Sequence, residues 1–163
     1  PSVTSERRDY VPMDFLDDSC IVTNLAFVIY NADCYLLSVL SSRIHMTWVR
    51  TVAGRLKTDY RYSSAICYNT FPFPVISEAQ KKMLEDHVFR VIHERELHPE
   101  KTMAALYDPD KMPDGLRKAH HEMDFAVEQC YRLRPFRSDE ERMKYLFKLY
   151  EEMIETKERN GDN

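Results

Sequence analysis

The sequence predicts an α+β region followed by an α-helical bundle, on three observations. Runs rich in β-branched and aromatic residues surround one apolar helix in residues 1–76, whereas residues 77–163 show helical periodicity almost throughout. The FPFP motif at 71–74 fixes an extended segment between them, because proline cannot continue a helix. Charge divides at the same place: the first half is neutral, and the net charge of -4 belongs to the second. We therefore expect two domains, 1–76 and 77–163.

Four elements are predicted in the first half. Residues 9–16 and 20–30 have strand composition and are separated by a polar turn. Residues 34–53 carry apolar side chains every three or four positions, which predicts one helix with Gly54 as its C-terminal cap. Residues 60–68 return to strand composition.

Four helices are predicted in the second half, over residues 77–97, 100–107, 113–132 and 138–158. Ser77 with Gln80, and Ser138 with Glu141, have the spacing of a capping box. In that motif the serine hydroxyl and the later side chain each accept the other residue's backbone N–H. These two motifs predict where the first and last helices of this half begin.

The chain contains three glycines, at positions 54, 115 and 161. Sites for nucleotides and for S-adenosylmethionine use clustered glycines, whose backbone approaches phosphate or cofactor closely. Glycines this far apart cannot form such a loop, so we expect no cofactor in this chain.

No catalytic or metal-binding motif emerges from the remaining residues. The six histidines lack the HExxH spacing of a zinc site, and neither a GxSxG motif nor a Pro-Pro-Tyr-type methyltransferase loop occurs. The PD at 113–114 and the ETK at 155–157 match a metal-dependent nuclease pattern formally, but neither lies in a run with strand composition. We therefore assign no catalytic residue and no metal ligand.

Several features of the sequence favour a cytoplasmic protein. The N-terminus lacks the apolar core of a signal peptide, and no stretch is long and apolar enough to span a bilayer. The cysteines at 20, 34, 67 and 130 form no CxxC pair, so free thiols are expected. The chain starts with Pro1 rather than Met, which indicates a piece of a longer polypeptide.

A basic and aromatic segment interrupts the neutral first half. Residues 43–62 contain five Lys or Arg residues and a single acid, Asp59. Cationic side chains beside tyrosines are typical of a surface that contacts DNA phosphates. The candidate contacts with the DNA backbone or groove are Arg43, Arg50, Arg55, Tyr60, Arg61, Tyr62 and Ser63. The alternative is a purely structural segment, since arginines at a helix C-terminus also complement the helix dipole.

The run SVLSSRIHMTWVRTVAGRLKTDYRYSSAICYNTFPFP at 38–74 resembles a stretch of the MmeI-like single-chain restriction–modification enzymes. In that family it reads roughly LSSRMHMAWVRAVAGRLKSDYRYS…YNTFPWP and lies in the C-terminal part of the target recognition domain. Phe73 stands where tryptophan is usual, and Ile44 replaces a common methionine. The second half resembles the helical C-terminal domain of the same family through ISEAQKKMLE and LYDPDKMPDGLRKAH.

This resemblance implies a division of labour within a longer enzyme. The resemblance implies a domain order for complete members of the family. An N-terminal nuclease, a helical connector and an adenine-specific methyltransferase precede the region matched here. The parent enzyme is thus implied to use S-adenosylmethionine and Mg²⁺. This chain is implied to bind double-stranded DNA and to adjoin the upstream methyltransferase and nuclease domains of the same polypeptide.

Within GRLKTDYRYS, the resemblance places base-reading residues at Lys57 and Asp59. Two residues apart on one extended strand, their side chains are expected to face the same way. Lysine can donate to the two major-groove acceptors of guanine, and aspartate can accept from the amino group of the paired cytosine. We therefore hypothesise that the pair reads one G·C base pair, with guanine facing Lys57. The alternative is an exposed ion pair between the two side chains.

The sequence thus predicts the DNA-specificity region of a bacterial restriction endonuclease and adenine DNA methyltransferase, with catalysis in upstream domains. The alternative is a helical structural or interaction module with little DNA binding of its own. An isolated nuclease or methyltransferase is a more distant third. Salt-dependent binding to duplexes separates the first two functions.

Overall fold

The computed structural model describes residues 1–161 and confirms an α+β region followed by helices. Its elements are, in chain order, β1 (Val3–Thr4), α1 (Cys34–Leu40), α2 (Arg43–Val52), β2 (Gly54–Leu56), β3 (Asp59–Arg61), a π-helical turn (Ser64–Tyr68), α3 (Glu78–Glu96), α4 (Met103–Leu106), α5 (Asp114–Tyr131) and α6 (Asp139–Gly161). The three strands form one antiparallel sheet in the order β1–β3–β2.

The helices of the second half begin and end close to the predicted residues. Ser77 caps α3 through a complete capping box: its hydroxyl accepts the N–H of Gln80 at 3.3 Å, and Gln80 Oε1 accepts the N–H of Ser77 at 3.0 Å. At α6 the box is half formed, because Glu141 donates its N–H to Ser138 while its carboxylate accepts the N–H of Arg137. The prediction of a helical second half is confirmed.

The two strands predicted near the N-terminus are wrong. Residues 9–16 and 20–30 run as coil and turns, despite their strand composition. A strand needs a neighbour that satisfies its backbone N–H and C=O groups. Within residues 1–161, neither run has a strand beside it that pairs with it.

The single helix predicted over residues 34–53 is interrupted at Ser41 and Ser42. α1 ends at Leu40, and Ser42 adopts an extended conformation in which its hydroxyl accepts the N–H of His45. Serine side chains compete with the helical backbone in this way and favour helix starts. The apolar periodicity continues across the break, so the spacing alone could not locate it.

The last part of the first half also differs from the prediction. α2 ends with Ala53 in an extended conformation, so Gly54 opens β2 and does not cap the helix. The strand predicted over residues 60–68 stops with β3. The chain then closes the π-helical turn, in which Asn69 donates its N–H to the C=O of Ser64 at 2.9 Å. This turn satisfies the backbone locally, without a partner strand.

One hydrophobic core joins the two halves. Trp48 of α2 is 1% exposed, and its ring lies 5.4 and 5.6 Å from those of Phe147 and Tyr150 on α6. Leu37 of α1 and Leu84 of α3 belong to the same buried cluster. Burying a side chain of this kind stabilises the fold by about 1.5–3 kcal/mol. The helices of the second half therefore support α2 directly.

A buried carboxylate also connects the two halves. Asp124 on α5 accepts the backbone N–H of Arg43, at the start of α2, at 2.7 Å and the hydroxyl of Tyr10 at 2.8 Å. The contact satisfies one of the N–H groups that a helix start leaves without a partner. Burial raises the pKa of Asp124 to about 7, although both hydrogen bonds act in the opposite direction.

No helix within residues 1–161 combines the length and the apolar character needed to cross a bilayer. In the same range, no three His, Cys, Asp or Glu side chains gather where they could hold a metal ion. The thiols of Cys20, Cys34, Cys67 and Cys130 are free.

Asp124→Asn is expected to change how stability depends on pH. Between about pH 4 and 7 the unfolded chain ionises this carboxyl while the folded chain keeps it protonated, so the parent loses stability as the pH rises. Asparagine does not titrate, and its oxygen can still accept the N–H of Arg43. The free energy of unfolding of the variant, relative to the parent, should therefore increase over this window in urea titrations.

The two residues that donate to Asp124 do not titrate in this window, because the pKa values of Tyr10 and Arg43 are both raised above their already high usual values. A difference in unfolding free energy that stays constant from pH 4 to 7 would contradict the raised pKa of Asp124.

Candidate DNA interface

A short β-hairpin follows α2 directly and carries both predicted base-reading residues. β2 and β3 pair antiparallel, with Leu56 opposite Asp59. Only Lys57 and Thr58 connect the two strands, which makes the turn as tight as a two-residue hairpin loop. Lys57 has a φ of 58°, in the left-handed region that favours glycine.

The expectation that Lys57 and Asp59 share one extended strand is wrong. The chain reverses between them, because Leu56 already pairs with Asp59 across the hairpin. The alternative ion pair is not formed either: Asp59 Oδ1 accepts the backbone N–H of Glu6 at 3.4 Å. Lys57 and Asp59 therefore lie at the turn end of the hairpin, one in the turn and one at the first position of β3.

The sheet turns one face to the core and the other to solvent. Alternation along β3 places Tyr60 inward, where it is 7% exposed, and Asp59 and Arg61 outward. On β2, Leu56 lies opposite Asp59 and is 52% exposed, and Gly54 lies opposite Arg61. The outer face thus presents a carboxylate and a guanidinium on one strand, and the guanidinium of Arg61 is flanked by Gly54 on β2 and by Val3 on β1.

Two cations of the basic segment are available to a ligand. Lys57 in the turn and Arg61 on β3 are exposed. Within the part of the chain that the structure describes, neither side chain forms a hydrogen bond or an ion pair. Unpaired Lys and Arg side chains are the usual donors to phosphate oxygens and to guanine.

Arg43 and Arg50, both predicted as phosphate contacts, face acidic side chains. Arg43 Nε lies 3.0 Å from Asp139 Oδ1, and Arg50 lies 3.5 Å from both Asp9 and Asp139. Partial burial acts to raise the pKa of Asp139, yet the surrounding guanidiniums hold it below its usual value. Arg50 also donates to the C=O of Arg8 at 3.0 Å. A contact of either arginine with DNA stays a prediction and requires an exchange of these partners.

Arg55 is held within the hairpin itself. Its guanidinium carbon lies 4.0 Å from the centre of the Tyr60 ring, and Nη1 donates to the C=O of Thr58 at 2.6 Å. The same nitrogen lies 3.4 Å from a carboxylate oxygen of Glu6. A cation over an aromatic face contributes about 0.5–1 kcal/mol at an exposed site. Arg55 and Tyr60 therefore stiffen the hairpin.

Tyr62 packs in the interior of the protein, and Ser63 accepts a hydrogen bond through its backbone C=O. The Tyr62 hydroxyl lies 3.0 Å from His45 Nε2, and Tyr62 is 5% exposed. Burial raises the pKa of Tyr62 above its usual value and lowers that of His45 to about 3, so both stay neutral near pH 7. The C=O of Ser63 accepts the N–H of Cys67 at 2.6 Å. Little of the Tyr62 ring is left for the predicted DNA contact.

The structure adds a basic pair that the sequence analysis did not assign to this surface. Val3 of β1 pairs with Arg61 of β3, and the chain continues from β1 into Arg7 and Arg8. Arg7 is exposed and forms an ion pair with Asp110. Arg7 and Arg8 are adjacent in the sequence, but no local pattern indicates that the segment before them pairs with β3, more than 50 residues later.

Two family models together match almost the whole chain. The model of the MmeI target recognition domain matches residues 1–75, and that of the MmeI C-terminal domain matches residues 76–157. The chain belongs to the MmeI family. The resemblance drawn from the sequence is thereby confirmed.

Two relatives show how much of an MmeI-family protein these residues represent. DNA methyltransferase A of Bacillus subtilis (strain 168) is 51% identical over 155 residues, which are 95% of this chain and 18% of that protein. A solved structure of the type IIL restriction–modification enzyme MmeI in complex with DNA aligns with a TM-score of 0.91 and 37% identity. That alignment covers 95% of this chain and 21% of the MmeI chain. The chain thus spans about a fifth of the length of these relatives.

Lys57→Gly is expected to preserve the fold and to stabilise it by up to about 1 kcal/mol, because glycine adopts a positive φ without a Cβ clash. Thermal unfolding measures the change. Thr58→Gly is the matched control, since Thr58 has no positive φ and glycine there mainly adds flexibility to the unfolded chain. If Lys57→Gly destabilised the protein more than Thr58→Gly, the turn geometry described above would be incorrect.

Proposed function

We propose that this chain reads the sequence of double-stranded DNA as the specificity region of a restriction–modification enzyme. The hairpin with its unpaired cations is the observation that carries the proposal. The alignment with MmeI in complex with DNA supports it. In this proposal residues 1–76 act as the recognition domain and residues 77–163 as its helical support, a division that the family matches favour.

The hairpin is suited to reading base edges. A two-stranded ribbon fits the major groove of B-DNA, where each base pair shows a distinct pattern of donors and acceptors. At the turn, Lys57 Nζ donates to O6 and N7 of guanine. Asp59 uses Oδ1 for the N–H of Glu6, and its second oxygen accepts from the amino group of the paired cytosine. The pair thereby reads one G·C base pair with guanine facing Lys57.

Contacts with phosphates position the hairpin on the duplex. Arg61 is the first candidate, because it is exposed on the outer face of the sheet next to Asp59. Arg43, Arg50 and Arg55 reach phosphate by giving up their present acidic partners. Such exchanges add affinity without sequence preference.

Catalysis belongs to other parts of the polypeptide in this proposal. A nuclease and an adenine methyltransferase, using Mg²⁺ and S-adenosylmethionine, account for the additional length of the relatives. The residues described here do not fit these groups: within 1–161 no three metal-ligating side chains gather, and Gly54 and Gly115 lie in separate elements. A cytoplasmic location accompanies this role.

A second candidate function is a structural module that docks onto other domains and binds DNA weakly. The ion pairs of Arg43 and Arg50 with Asp139 favour it, because they neutralise cations that a DNA reader would use. Fluorescence anisotropy with a labelled duplex and a salt series separates the two functions. If the chain recognises DNA, the logarithm of its binding constant falls steeply as the logarithm of the salt concentration rises. A structural module shows only weak binding throughout the series.

Lys57→Glu combined with Asp59→Arg should invert one base pair of the preferred target, from G·C to C·G on the same strand. Glutamate accepts from the cytosine amino group and arginine donates to guanine, so the two roles exchange. A contact of this kind discriminates by about 1–3 kcal/mol, so each protein should prefer its own base pair by about fivefold to 150-fold. Sequencing duplexes that each protein selects from a random library measures it.

The matched control for this double variant is Glu140→Lys with Lys144→Glu, which reverses an exposed ion pair on α6. We expect the control to keep the parent's preference. Unchanged specificity in the hairpin variant would refute base reading by Lys57 and Asp59.

Arg61→Ala should weaken binding equally on all duplexes and reduce the slope of the salt dependence by about one, as expected for the loss of one phosphate contact. Anisotropy titrations over a range of salt concentrations measure the slope. Arg90→Ala removes an exposed arginine that pairs with Glu122 on the helical half and should leave the slope unchanged. An unaltered slope in Arg61→Ala would exclude this residue as a phosphate contact.

A further inference from the structure

An apolar run between β1 and α1 is open to solvent. Its members with large exposed side chains are Leu25, Phe27, Val28, Ile29 and Tyr30, which are 41–85% exposed. Side chains of these types are usually buried, and a contiguous exposed patch of them marks a surface that another group covers. The same run has the composition of a strand and forms none in this structure.

The backbone of this run lacks partners as well. In the described residues, the N–H and C=O groups of Phe27 and Val28 form no hydrogen bond. Just before them, the C=O of Leu25 still accepts the N–H of Ser2 at 2.8 Å, next to the free edge of β1. An unpaired backbone beside a sheet edge is a template for an added strand.

An apolar groove lies along the run. Two adjoining cavities, of about 460 and 450 Å³, together form the apolar groove. Their shared lining residues are Pro1, Met13, Phe27, Val28, Ile29 and Leu40. Among the described residues, the first cavity is lined by no Asp, Glu, Lys or Arg, and the second by Asp14 alone of these types. Pro1 also lines both cavities, and burial lowers the pKa of its amino group, which favours the neutral form. Such a groove fits an uncharged segment with apolar side chains, because an unpaired charge would be desolvated there.

The length of the relatives indicates where that segment comes from. This chain covers 18% and 21% of them, so about four fifths of a protein of that length lies outside these residues. A segment of the same polypeptide docks at a high effective concentration. A second copy of the chain would instead bear the full entropic cost of association.

We propose that the apolar groove receives an extended, uncharged segment from another part of the longer polypeptide. The segment pairs with Phe27 and Val28 as a β-strand and extends the sheet beyond β1. Its side chains fill the space next to Leu40 and Met13. The interaction completes the fold on the side of the sheet away from β2 and does not depend on how the hairpin reads DNA.

Hydrogen exchange in two proteins tests the proposal. One is the 163-residue chain alone; the other is DNA methyltransferase A with its matching region replaced by this chain, which is 51% identical to it. We expect the amides of Phe27 and Val28 to exchange at least about 100-fold more slowly in the chimera than in the chain alone. Amides in the middle of α5 serve as the internal control and should be protected in both.

A charge placed in the groove gives an independent readout. Ile29→Asp should lower the thermal stability of the chimera by more than that of the isolated chain, in which Ile29 is already 41% exposed, and should restore fast exchange at Phe27 and Val28 in the chimera. Ile21→Asp is the matched control, because Ile21 is 96% exposed and lines neither cavity. It should have no effect in either protein.

Two results would overturn the proposal. One is fast exchange at Phe27 and Val28 in a chimera whose α5 is protected. The other is protection in the isolated chain together with the mass of a dimer by sedimentation, which assigns the groove to a second copy. Failure of the DNA-reading proposal is distinguishable from both results. It would appear as unchanged base preference in the hairpin variants, whereas the groove is tested by exchange at Phe27 and Val28.

Discussion

The carboxylate of Asp124 reaches from α5 to the first turn of α2, and the placement of the hairpin depends on this contact. α2 runs into β2 without a linker, so the N–H of Arg43 held at one end of the helix fixes the direction in which the other end enters the sheet. The second donor, Tyr10, also stacks on His120 of α5 with ring centres 4.1 Å apart. The same helix therefore holds both segments that flank the sheet: the one leaving β1 and the one entering β2.

The distribution of charge follows from this arrangement. The helical half supplies acids to arginines of both halves: Asp139 pairs with Arg43 of α2, and Glu128 pairs with the buried guanidinium of Arg142 on α6 at 2.6 Å. Removing one member of a buried pair leaves the other charge uncompensated, so such residues are constrained by the fold. Lys57 and Arg61 lie beyond the reach of these acids. The overall charge of -4 thus coexists with a cationic hairpin.

Sequence patterns predicted the helical half well, because its signals are local. Ser77 and Gln80 satisfy each other across one turn, and no other part of the chain is needed. The strands near the N-terminus failed for the opposite reason: the composition of residues 20–30 reports a preference for burial in a sheet, whereas a strand forms only beside a partner. The start of α2 at Ser42 was not predicted, because the spacing of apolar residues continues unchanged across a serine that caps a new helix.

The identity of the base-reading residues stays a prediction, and their geometry was predicted only in part. The resemblance indicated Lys57 and Asp59, but the reversal of the chain between them depends on the register of Leu56 with Asp59, which no local pattern encodes. Arg50 and Arg61 look alike in sequence, and only the tertiary fold separates a paired guanidinium from an unpaired one. Tyr62 likewise has neighbours typical of a DNA surface, yet its hydroxyl faces His45 inside the protein.

The position of Lys57 has a consequence for how such proteins diverge. Within the described chain its side chain forms no hydrogen bond or ion pair, and its neighbours in the turn are held by backbone pairing and by Arg55. Loop positions of this kind tolerate replacement far better than the packed elements behind them. Under the proposed function, target preference could therefore change through side chains in the turn that accept the positive φ at position 57, while Asp124, Trp48 and Glu128 remain under the constraint of folding. A change of target would then leave the packed scaffold untouched, so that specificity and stability would be separable properties.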